Sequence, residues 1–365
     1  MAAYGDKLRP MDAFKDSAPA ELVDCVGHDD LMVLMFTSGT TGRSKAVMLS
    51  ERNFFTTVEC QVKFGDAMLD YKHEHMPEDK NDVLSNFAIL PLFHLGTFIC
   101  LFVWACKGWA LNLSADIRDF YRDLGLMHSD AIAVAPMLME AIYKDVKRGR
   151  RARLNGVWNP CGSSAMFDGA MLAELAQQGM MITQVYGMTE TCGDGIINYE
   201  QDEKHIRAVG KPDDHAEYKL DETGEICIRG GCVMLGYYKD PEATAEVLDA
   251  DGWFHTGDLA RVDEDGFYYI TGRKKNIIIL DNGENVSPEE LENLLSKCEA
   301  VKECIVREKG KKICAVIYCG EADQQTVRDF ITETNRTLPL YKRMSAVEFS
   351  TEPLPRTGTG KLLRK

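Results

Sequence analysis

The chain has 365 residues, of which 45% are hydrophobic and 27% are charged, a composition typical of a soluble globular protein with room for two domains. Its formal net charge of -15 at pH 7 argues against a nucleic-acid backbone as a partner. The twelve cysteines are scattered and none are paired as Cys-x-x-Cys, and the eight histidines lack a metal-ligand spacing. This usage favours buried thiols in a reducing, cytoplasmic setting over a disulfide framework or a zinc site.

The first predicted element is a strand over residues 31–36, an apolar run that we expect to be buried. A loop rich in glycine and hydroxyl groups follows and ends at Lys45. Its residues before that lysine include Thr37, Ser38, Gly39, Thr40, Thr41 and Gly42. Backbone N–H groups, hydroxyls and a lysine suit a polyphosphate, although the lysine spacing differs from that of Gly-x-x-x-x-Gly-Lys-Ser/Thr. A flexible turn is the alternative interpretation.

From residue 31 to about 190, short apolar runs alternate with amphipathic segments, which predicts an α/β fold with largely parallel strands. The polar stretch around His73 and His75 predicts a solvated loop instead. Residues 98–106 are too short and too soon interrupted for a transmembrane helix, which needs about 20 apolar residues. Strands are expected over 83–90, 131–135 and 181–185, and helices over 115–126, Pro136–Lys147 and 168–178.

The sequence pattern changes after residue 217, where glycine-containing turns separate short predicted strands. Two β-hairpins are predicted, one joining 217–220 to 225–229 and the other joining 259–262 to 267–270. Beyond Lys275 a smaller α+β unit follows, with strands over 276–280, 304–307 and 313–319 and a helix over 325–334. Ser287, Pro288 and Glu290 form a strong helix start.

Seven further motifs follow the first loop in a fixed order. They are Pro91-Leu92-Phe93-His94-Leu95-Gly96, Gly162-Ser163-Ser164, Tyr186-Gly187-Met188-Thr189-Glu190, Gly224-Glu225-Ile226, Thr256-Gly257-Asp258, Gly272-Arg273-Lys274-Lys275 and Pro355-Arg356-Thr357-Gly358-Thr359-Gly360-Lys361. Their joint order and spacing resembles the adenylate-forming superfamily of acyl-CoA synthetases, luciferases and peptide-synthetase adenylation domains. The resemblance covers nearly the whole chain from about residue 30. Within the superfamily, the sequence is most similar in character to fatty-acyl-CoA ligases.

The resemblance implies a large N-terminal α/β domain with mainly parallel sheets, helices and β-hairpins over residues 1–272. A hinge over 273–275 and a small mobile α+β domain over 276–365 would follow. It also implies two half-reactions. A carboxylic acid, here a fatty or other hydrophobic acid, attacks the α-phosphate of ATP in the presence of Mg2+ and releases pyrophosphate. A thiol, usually that of coenzyme A, then displaces AMP to give a thioester.

The resemblance also implies the nucleotide contacts. Residues 37–45 would hold the β- and γ-phosphates, while Thr189 and Glu190 would hold magnesium. Tyr186 would lie against the adenine, and Asp258 would accept both ribose hydroxyls with Arg273 beside it. The backbone near the adenine would come from Gly162, Ser163, Ser164 and Gly187.

Four further residues carry roles by the same resemblance. Lys361 is the catalytic lysine, which would bridge the substrate carboxylate and the α-phosphate where charge concentrates in the transition state. Lys275 is the hinge position, and Gly283 would face the pantetheine channel. His94 would form the wall between the acyl and thiol sites. Outside the family context, each of these residues has an ordinary structural interpretation in a turn, a tail or a core.

The chain departs from the superfamily at its front, where only 36 residues precede Thr37 and a long portion is expected. Three interpretations of the chain stay open: it is a fragment, a shortened gene product, or one half of a split enzyme with a partner chain. So do three functions: an acyl-CoA synthetase, an adenylating ligase that loads a carrier-protein thiol, and a truncated, non-catalytic nucleotide-binding protein.

Overall fold

The computed structural model describes residues 27–37, 44–114, 116–163, 167–193, 195–280, 284–310, 312–356 and 362–363. The helices in these ranges are α1 (Glu51–His75), α2 (Leu95–Cys106), α3 (Phe120–Leu124), α4 (Pro136–Lys147), α5 (Gly169–Gln177), α6 (Pro241–Ala245), α7 (Pro288–Leu295) and α8 (Gln324–Thr337). The strands are β1 (Leu31–Thr37), β2 (Lys45–Ser50), β3 (Ser85–Ala88), β4 (Ala110–Leu113), β5 (Ala131–Val134), β6 (Asn159–Ser163), β7 (Thr183–Gly187), β8 (Gly195–Asn198), β9 (Ala216–Leu220), β10 (Glu225–Gly230), β11 (Gly236–Tyr237), β12 (Phe254–Val262), β13 (Tyr268–Arg273), β14 (Ile278–Ile279), β15 (Asn285–Val286), β16 (Glu303–Lys309), β17 (Lys312–Tyr318) and β18 (Ala346–Ser350).

A six-stranded sheet of order β4-β3-β5-β6-β7-β8 positions most of the motifs. Its first five strands pair in parallel, and β8 returns antiparallel to β7. Strand β3 is buried along its whole length and β5 at three of its four residues, whereas the edge strand β4 is partly exposed, so the inner strands are the ones covered on both faces. Phe87 and Ile132 of the sheet share one buried core with Leu138 of α4 and Leu172 of α5. The carboxyl ends of the parallel strands therefore lie at one edge of this sheet.

The expected helix over 115–126 is interrupted in the structure. Asp116 accepts a hydrogen bond from the Arg118 N–H at 2.8 Å and starts a 3-10 turn over Ile117–Asp119, after which α3 begins. An aspartate side chain that binds nearby backbone N–H groups favours such turns over helix interiors.

Helix α1 replaces the loop that the sequence predicts around His73 and His75, so that prediction is wrong. The Ser50 hydroxyl accepts from the Asn53 N–H at 3.3 Å, and the Asn53 side chain accepts from the Ser50 N–H at 2.8 Å, which closes a capping box. Phe54 and Met68 are buried on one face of the helix. In its last turn His73, Glu74 and His75 are exposed, whereas Lys72 is buried, so the consecutive polar residues hide the helical pattern in the sequence.

Strands β1, β2 and β11 form a three-stranded antiparallel sheet of order β1-β2-β11. The sequence predicts a buried strand at β1, and the strand is present, but its burial is wrong. Phe36 is 70% exposed, whereas Met35 is only 8% exposed. Successive side chains of a strand point to opposite faces, so Met35 faces the core, whereas Phe36 points to the other face, which leaves it exposed among the described residues.

The two predicted hairpins are confirmed and share one antiparallel sheet of order β13-β12-β10-β9. Asp221 fixes the first turn because its carboxylate accepts from the backbone N–H groups of Thr223 and Glu225. Parallel pairing therefore dominates only the six-stranded sheet, and the rest of the large unit is antiparallel.

The C-terminal unit packs α7 and α8 against β16, β17 and β18. Its own core includes Leu291, Val306, Ile317 and Val327. Ser287 caps α7 as predicted, accepting from the Glu290 N–H at 3.4 Å. Strand β18, which pairs in parallel with β17, is not among the predicted elements. No helix in the described ranges is both long enough and apolar enough to cross a bilayer.

Candidate active site

Several of the predicted site residues lie at the carboxyl edge of the six-stranded sheet. His94 follows β3 and immediately precedes α2, Ser163 ends β6, and Thr189 follows β7. Gly162 approaches Phe167 so closely that a Cβ there would lie 2.5 Å from the phenylalanine ring. In sheets of this type, ligands bind outside the carboxyl ends of the strands.

A tight turn after β7 presents Thr189 and Glu190. These residues form a 3-10 turn over Thr189–Thr191, and Cys192 and Gly193 then adopt left-handed φ angles of 56° and 73°. The turn sends the chain back as β8, where Gly195 passes against Tyr186. A Cβ on Gly195 would lie 2.1 Å from the Tyr186 carbonyl oxygen, so only glycine allows this approach.

The three-stranded sheet places Lys45 near the Glu190 turn through Tyr237. The Tyr237 hydroxyl donates to Glu190 Oε1 at 2.9 Å, and the Met234 N–H donates to the Glu190 carbonyl oxygen at 2.9 Å. The Lys45 ammonium lies 4.3 Å from the centroid of the Tyr237 ring. Burial, together with the Glu190 charge, raises the pKa of Tyr237, so the phenol stays protonated and acts as a donor.

Asp258 is the centre of a second polar cluster. It is 4% exposed and lies opposite Arg273 in the β12–β13 pair. Arg273 Nε lies 2.6 Å from Asp258 Oδ1, and the Tyr186 hydroxyl donates to Asp258 Oδ2 at 3.1 Å. Burial, followed by the charge of Asp258, raises the pKa of Tyr186 well above its usual value, which keeps this hydroxyl a donor. Three of the predicted nucleotide-binding residues are thus in direct contact.

Glu225 and Lys274 support the backbone next to this cluster. Glu225 Oε1 accepts from the Gly257 N–H at 2.7 Å, and the Lys274 ammonium lies 2.7 Å from Glu225 Oε2. The hydrogen bond to Glu225 raises the pKa of Lys274. Lys275, the predicted hinge residue, lies in a 3-10 turn over Lys274–Asn276 directly after β13.

The donor set of the Glu190 turn fits a hard cation. A carboxylate offers about four lone-pair sites on its two oxygens, so Glu190 retains acceptor capacity beyond its bond from Tyr237. The hydroxyl of Thr189 comes from the preceding position. Oxygen donors of this kind, together with phosphate oxygens, are the ligands that Mg2+ prefers.

Eight predicted site residues lie outside the described residues. They are Ser38, Gly39, Thr40, Thr41, Gly42, Ser164, Gly283 and Lys361. The segments flanking Lys361 are described and anchored. Arg356 donates to Glu303 Oε1 at 2.6 Å, and the Leu363 N–H donates to the Pro355 carbonyl oxygen at 2.8 Å. The described residues on either side of 357–361 are therefore bonded to each other, and Arg356 is bonded to β16.

The sequence prediction missed Tyr237 and did not assign roles to Glu225 or Lys274. Tyr237 lies in an apolar run that carries no binding signature, and it reaches Glu190 only through the pairing of β11 with β2. Glu225 is part of a quoted motif, but its contacts to Gly257 and Lys274 join segments far apart in the chain.

Comparison with known proteins identifies the family. A family model described as AMP-binding enzyme matches residues 4–238. The chain belongs to this AMP-binding enzyme family. A second model, described as AMP-binding enzyme C-terminal domain, matches residues 290–361. The family prediction is therefore confirmed.

Two curated relatives and one solved structure illustrate the similarity. The 4-coumarate–CoA ligase 3 of Oryza sativa subsp. japonica is 30% identical, and the match covers 96% of this chain and 66% of that protein. The long-chain-fatty-acid–CoA ligase of Salmonella typhimurium is also 30% identical, with 92% of this chain and 61% of that protein covered. This chain therefore spans 61% to 66% of the length of these two relatives.

The solved structure is the O-succinylbenzoate coenzyme A synthetase (MenE) from Bacillus subtilis in complex with ATP and a magnesium ion. It superposes with a TM-score of 0.75 at 25% identity, covering 97% of this chain and 73% of that one. The predicted α/β fold with a small C-terminal unit is confirmed by this likeness.

Proposed function

We propose that this chain activates a carboxylic acid with ATP and Mg2+, releases pyrophosphate, and transfers the acyl group from the adenylate to coenzyme A. The contact of Asp258 with Arg273 and Tyr186 carries the proposal, because it joins three predicted nucleotide contacts from two different sheets. Family membership and the CoA-ligase relatives support the same reaction.

In this proposal the Asp258 carboxylate accepts the two ribose hydroxyls. Asp258 is buried, whereas the Arg273 side chain is 42% exposed. As the ribose enters, it is therefore Arg273 that moves away from the Asp258 carboxylate or shares it with the ribose. Tyr186 keeps one side of Asp258 fixed and presents its ring to the adenine. The backbone of Gly162 and Ser163, together with Gly187, completes the adenine side.

At the phosphate end, Thr37 and Lys45 flank the loop that would surround the β- and γ-phosphates. Lys45 lies over Tyr237, which also holds Glu190, so the loop and the cation-binding carboxylate are joined through one phenol ring. Magnesium bound at Thr189 and Glu190 would neutralise charge on the phosphate oxygens. Lys361 would bring an ammonium to the α-phosphate only in the adenylating pose of the small domain, by rotation about Lys275.

The acid that fits this proposal is hydrophobic. The two relatives are named for 4-coumarate and for long-chain fatty acids, one aromatic and one aliphatic. Phe93 is 74% exposed beside His94 at the end of β3, with the two ring centroids 5.0 Å apart. A long-chain fatty acid is our preferred substrate class. A cytoplasmic location is part of the same proposal, because the twelve cysteines are scattered along the chain and are not spaced as a disulfide framework.

Apolar side chains on β1, α1 and α2 are unusually exposed, including Leu31, Phe36, Phe55 and Phe102. Exposed apolar surface of this kind is commonly covered by other polypeptide. We propose that a polypeptide portion equivalent to the unmatched part of the relatives covers it, in the same or a partner chain.

The roles of Lys361 and of the thiol are tested by separating the two half-reactions. We expect Lys361→Ala to abolish pyrophosphate release while leaving thioester formation from supplied acyl-adenylate and coenzyme A largely intact. Lys365→Ala, a neighbouring lysine in the same tail, is the matched control and should retain both. Equal loss of both half-reactions in Lys361→Ala would contradict the assignment. AMP release from the adenylate by a carrier-protein thiol but not by coenzyme A would contradict the proposed acceptor.

A further inference from the structure

Tyr237 is in contact with two oppositely charged side chains at the phosphate end of the candidate site. Its hydroxyl donates to Glu190 Oε1 at 2.9 Å, and the Lys45 ammonium lies 4.3 Å from the centroid of its ring. We propose that Tyr237 is a positioning residue, which orients the Glu190 carboxylate for Mg2+ through its hydroxyl and the Lys45 ammonium for phosphate through its ring. This inference rests on the proposed function, in which Glu190 binds magnesium and Lys45 contacts phosphate.

The position of Tyr237 is itself restricted by its surroundings. Strand β11 pairs with β2, which places Tyr237 opposite Val47, and the Tyr237 N–H donates to Thr244 Oγ1 at 2.9 Å. The Thr244 hydroxyl in turn donates to the Asp240 carbonyl oxygen at 2.8 Å. Tyr237 is also only 6% exposed, so packing adds to these bonds. A side chain that is held in place in this way can hold its neighbours in a defined geometry.

The hydroxyl acts on Glu190. A carboxylate group is planar, so a hydrogen bond to Oε1 also restricts the direction of Oε2. The main chain of Glu190 is held separately, because the Met234 N–H donates to its carbonyl oxygen at 2.9 Å. The backbone and the side chain of this predicted magnesium ligand are therefore both bonded to the segment 234–237. Removal of a group that orients a metal ligand typically lowers metal affinity by about 10- to 100-fold.

The ring acts on Lys45. A cation over the face of an aromatic ring is attracted by the ring itself, and this attraction does not need the hydroxyl. The backbone of Lys45 is fixed in register, since it pairs with Thr37 in the β1–β2 ladder. The two contacts of Tyr237 can therefore be removed one at a time. Phenylalanine keeps the ring and loses the hydroxyl, whereas leucine loses both.

A purely structural role makes a different prediction. A buried tyrosine hydroxyl needs a hydrogen-bond partner in any fold, and Glu190 could serve only as that partner. Tyr237→Phe would then lower the thermal stability of the chain and weaken ATP binding to the same extent with and without Mg2+. A positioning role instead predicts a loss that is selective for the Mg2+-dependent part of binding.

The test is calorimetric binding of ATP to the full chain, once with excess Mg2+ and once with EDTA, together with thermal unfolding. The ratio of the two dissociation constants measures how strongly Mg2+ promotes ATP binding. We expect Tyr237→Phe to reduce this ratio by about 10-fold or more and to leave binding in EDTA unchanged. Tyr237→Leu should reduce the ratio similarly and also weaken binding in EDTA by about threefold, the size of an exposed cation–π contact. Tyr238→Phe is the matched control, because Tyr238 is 43% exposed, and it should bind as the unsubstituted chain does.

An unchanged ratio in folded Tyr237→Phe, or an equal loss of ATP binding with and without Mg2+, would overturn the proposal. If Tyr237→Phe does not fold, Thr244→Val removes the hydroxyl that accepts from the Tyr237 N–H, with Thr244→Ser as its control. An unchanged ratio in Thr244→Val would then overturn the proposal in the same way. Failure of the proposed function gives a different result, since the unsubstituted chain itself would not bind ATP or would show no effect of Mg2+. That result would remove the nucleotide site and the role of Tyr237 with it.

Discussion

At the scale of single residues, Asp258 is the strongest test of the nucleotide site. We expect Asp258→Asn to lower kcat/KM for ATP by about 100-fold, because charge-assisted hydrogen bonds of this kind contribute about 1.5–3 kcal/mol. Glu264→Gln, in the turn of the same hairpin, should have no effect. The measurement is steady-state kinetics with ATP and 2′-deoxy-ATP. The unsubstituted chain should discriminate between the two nucleotides and Asp258→Asn should not, so retained discrimination would argue against a ribose contact.

Glu303 gives a prediction about pH. Burial alone would raise the pKa of Glu303, but hydrogen bonds from Arg356 and from the Leu354 N–H outweigh it and hold the pKa below 4.5. A carboxyl whose pKa is lower in the folded state stabilises the fold above its unfolded pKa, and that contribution is lost as pH falls through the folded value.

We therefore expect Glu303→Gln to lower the free energy of unfolding by about 1–2 kcal/mol at pH 7. The difference from the unsubstituted chain should shrink below pH 4.5, the ordinary pKa of the group. Urea unfolding across pH is the measurement, with the exposed Glu299→Gln as control. A difference that does not change with pH would show that the carboxylate charge is not responsible.

At the scale of elements, the turn between β7 and β8 depends on Gly195. A Cβ at this position would lie 2.1 Å from the Tyr186 carbonyl oxygen, so Gly195→Ala must push the two strands apart. We expect the free energy of unfolding to fall by about 1–3 kcal/mol and ATP binding to weaken with it. Gly96→Ala is the control, since nothing lies within 4 Å of its added Cβ. Equal stability of the two variants would contradict this account of the turn.

The elements also show how far the sequence predicts the fold. Elements defined by local signals are predictable because their determinants lie within a few residues of one another. Examples are the Pro136–Lys147 helix, the Ser287 cap and the two hairpins. The end of helix α1 is missed because four consecutive polar residues, 72–75, show no apolar spacing, although Lys72 among them is buried. The exposure of β1 depends on what packs on each face of its sheet, and no local pattern encodes that packing.

The candidate site likewise contains residues that the sequence predicts and residues that it does not. Tyr186, Asp258 and Arg273 are identified by motif, and the structure brings them into contact. Tyr237 and the Glu225–Lys274 pair are not predictable in the same way, because their contacts join strands from different parts of the chain. Residues that belong to one motif can therefore be predicted from the sequence. Contacts between residues of different motifs become visible only in the folded structure.

At the scale of the whole molecule, the cysteines predict how the chain responds to thiol reagents. Among the described cysteines, Cys106 is the exposed one. Burial raises the pKa of Cys100 to about 11 and that of Cys161 to about 12, which keeps both as unreactive thiols near neutral pH.

With a chelator present, we expect fast labelling of the native chain at Cys106 and its loss in Cys106→Ser. The labelling of Cys106→Ser is compared with that of Cys25→Ser, because Cys25 lies outside the described residues and its own reactivity must be measured separately. All twelve thiols should react in denaturant without reductant, and a lower count would contradict a disulfide-free chain.

The most direct measurement of the central claim is pyrophosphate release by the full chain with ATP and Mg2+. The acids would be a panel of short, medium, long-chain and aromatic carboxylic acids. Our account predicts release that depends on the acid, is greatest for a hydrophobic class, and is lost in Asp258→Asn. A chain that binds ATP but releases no pyrophosphate with any acid would contradict it.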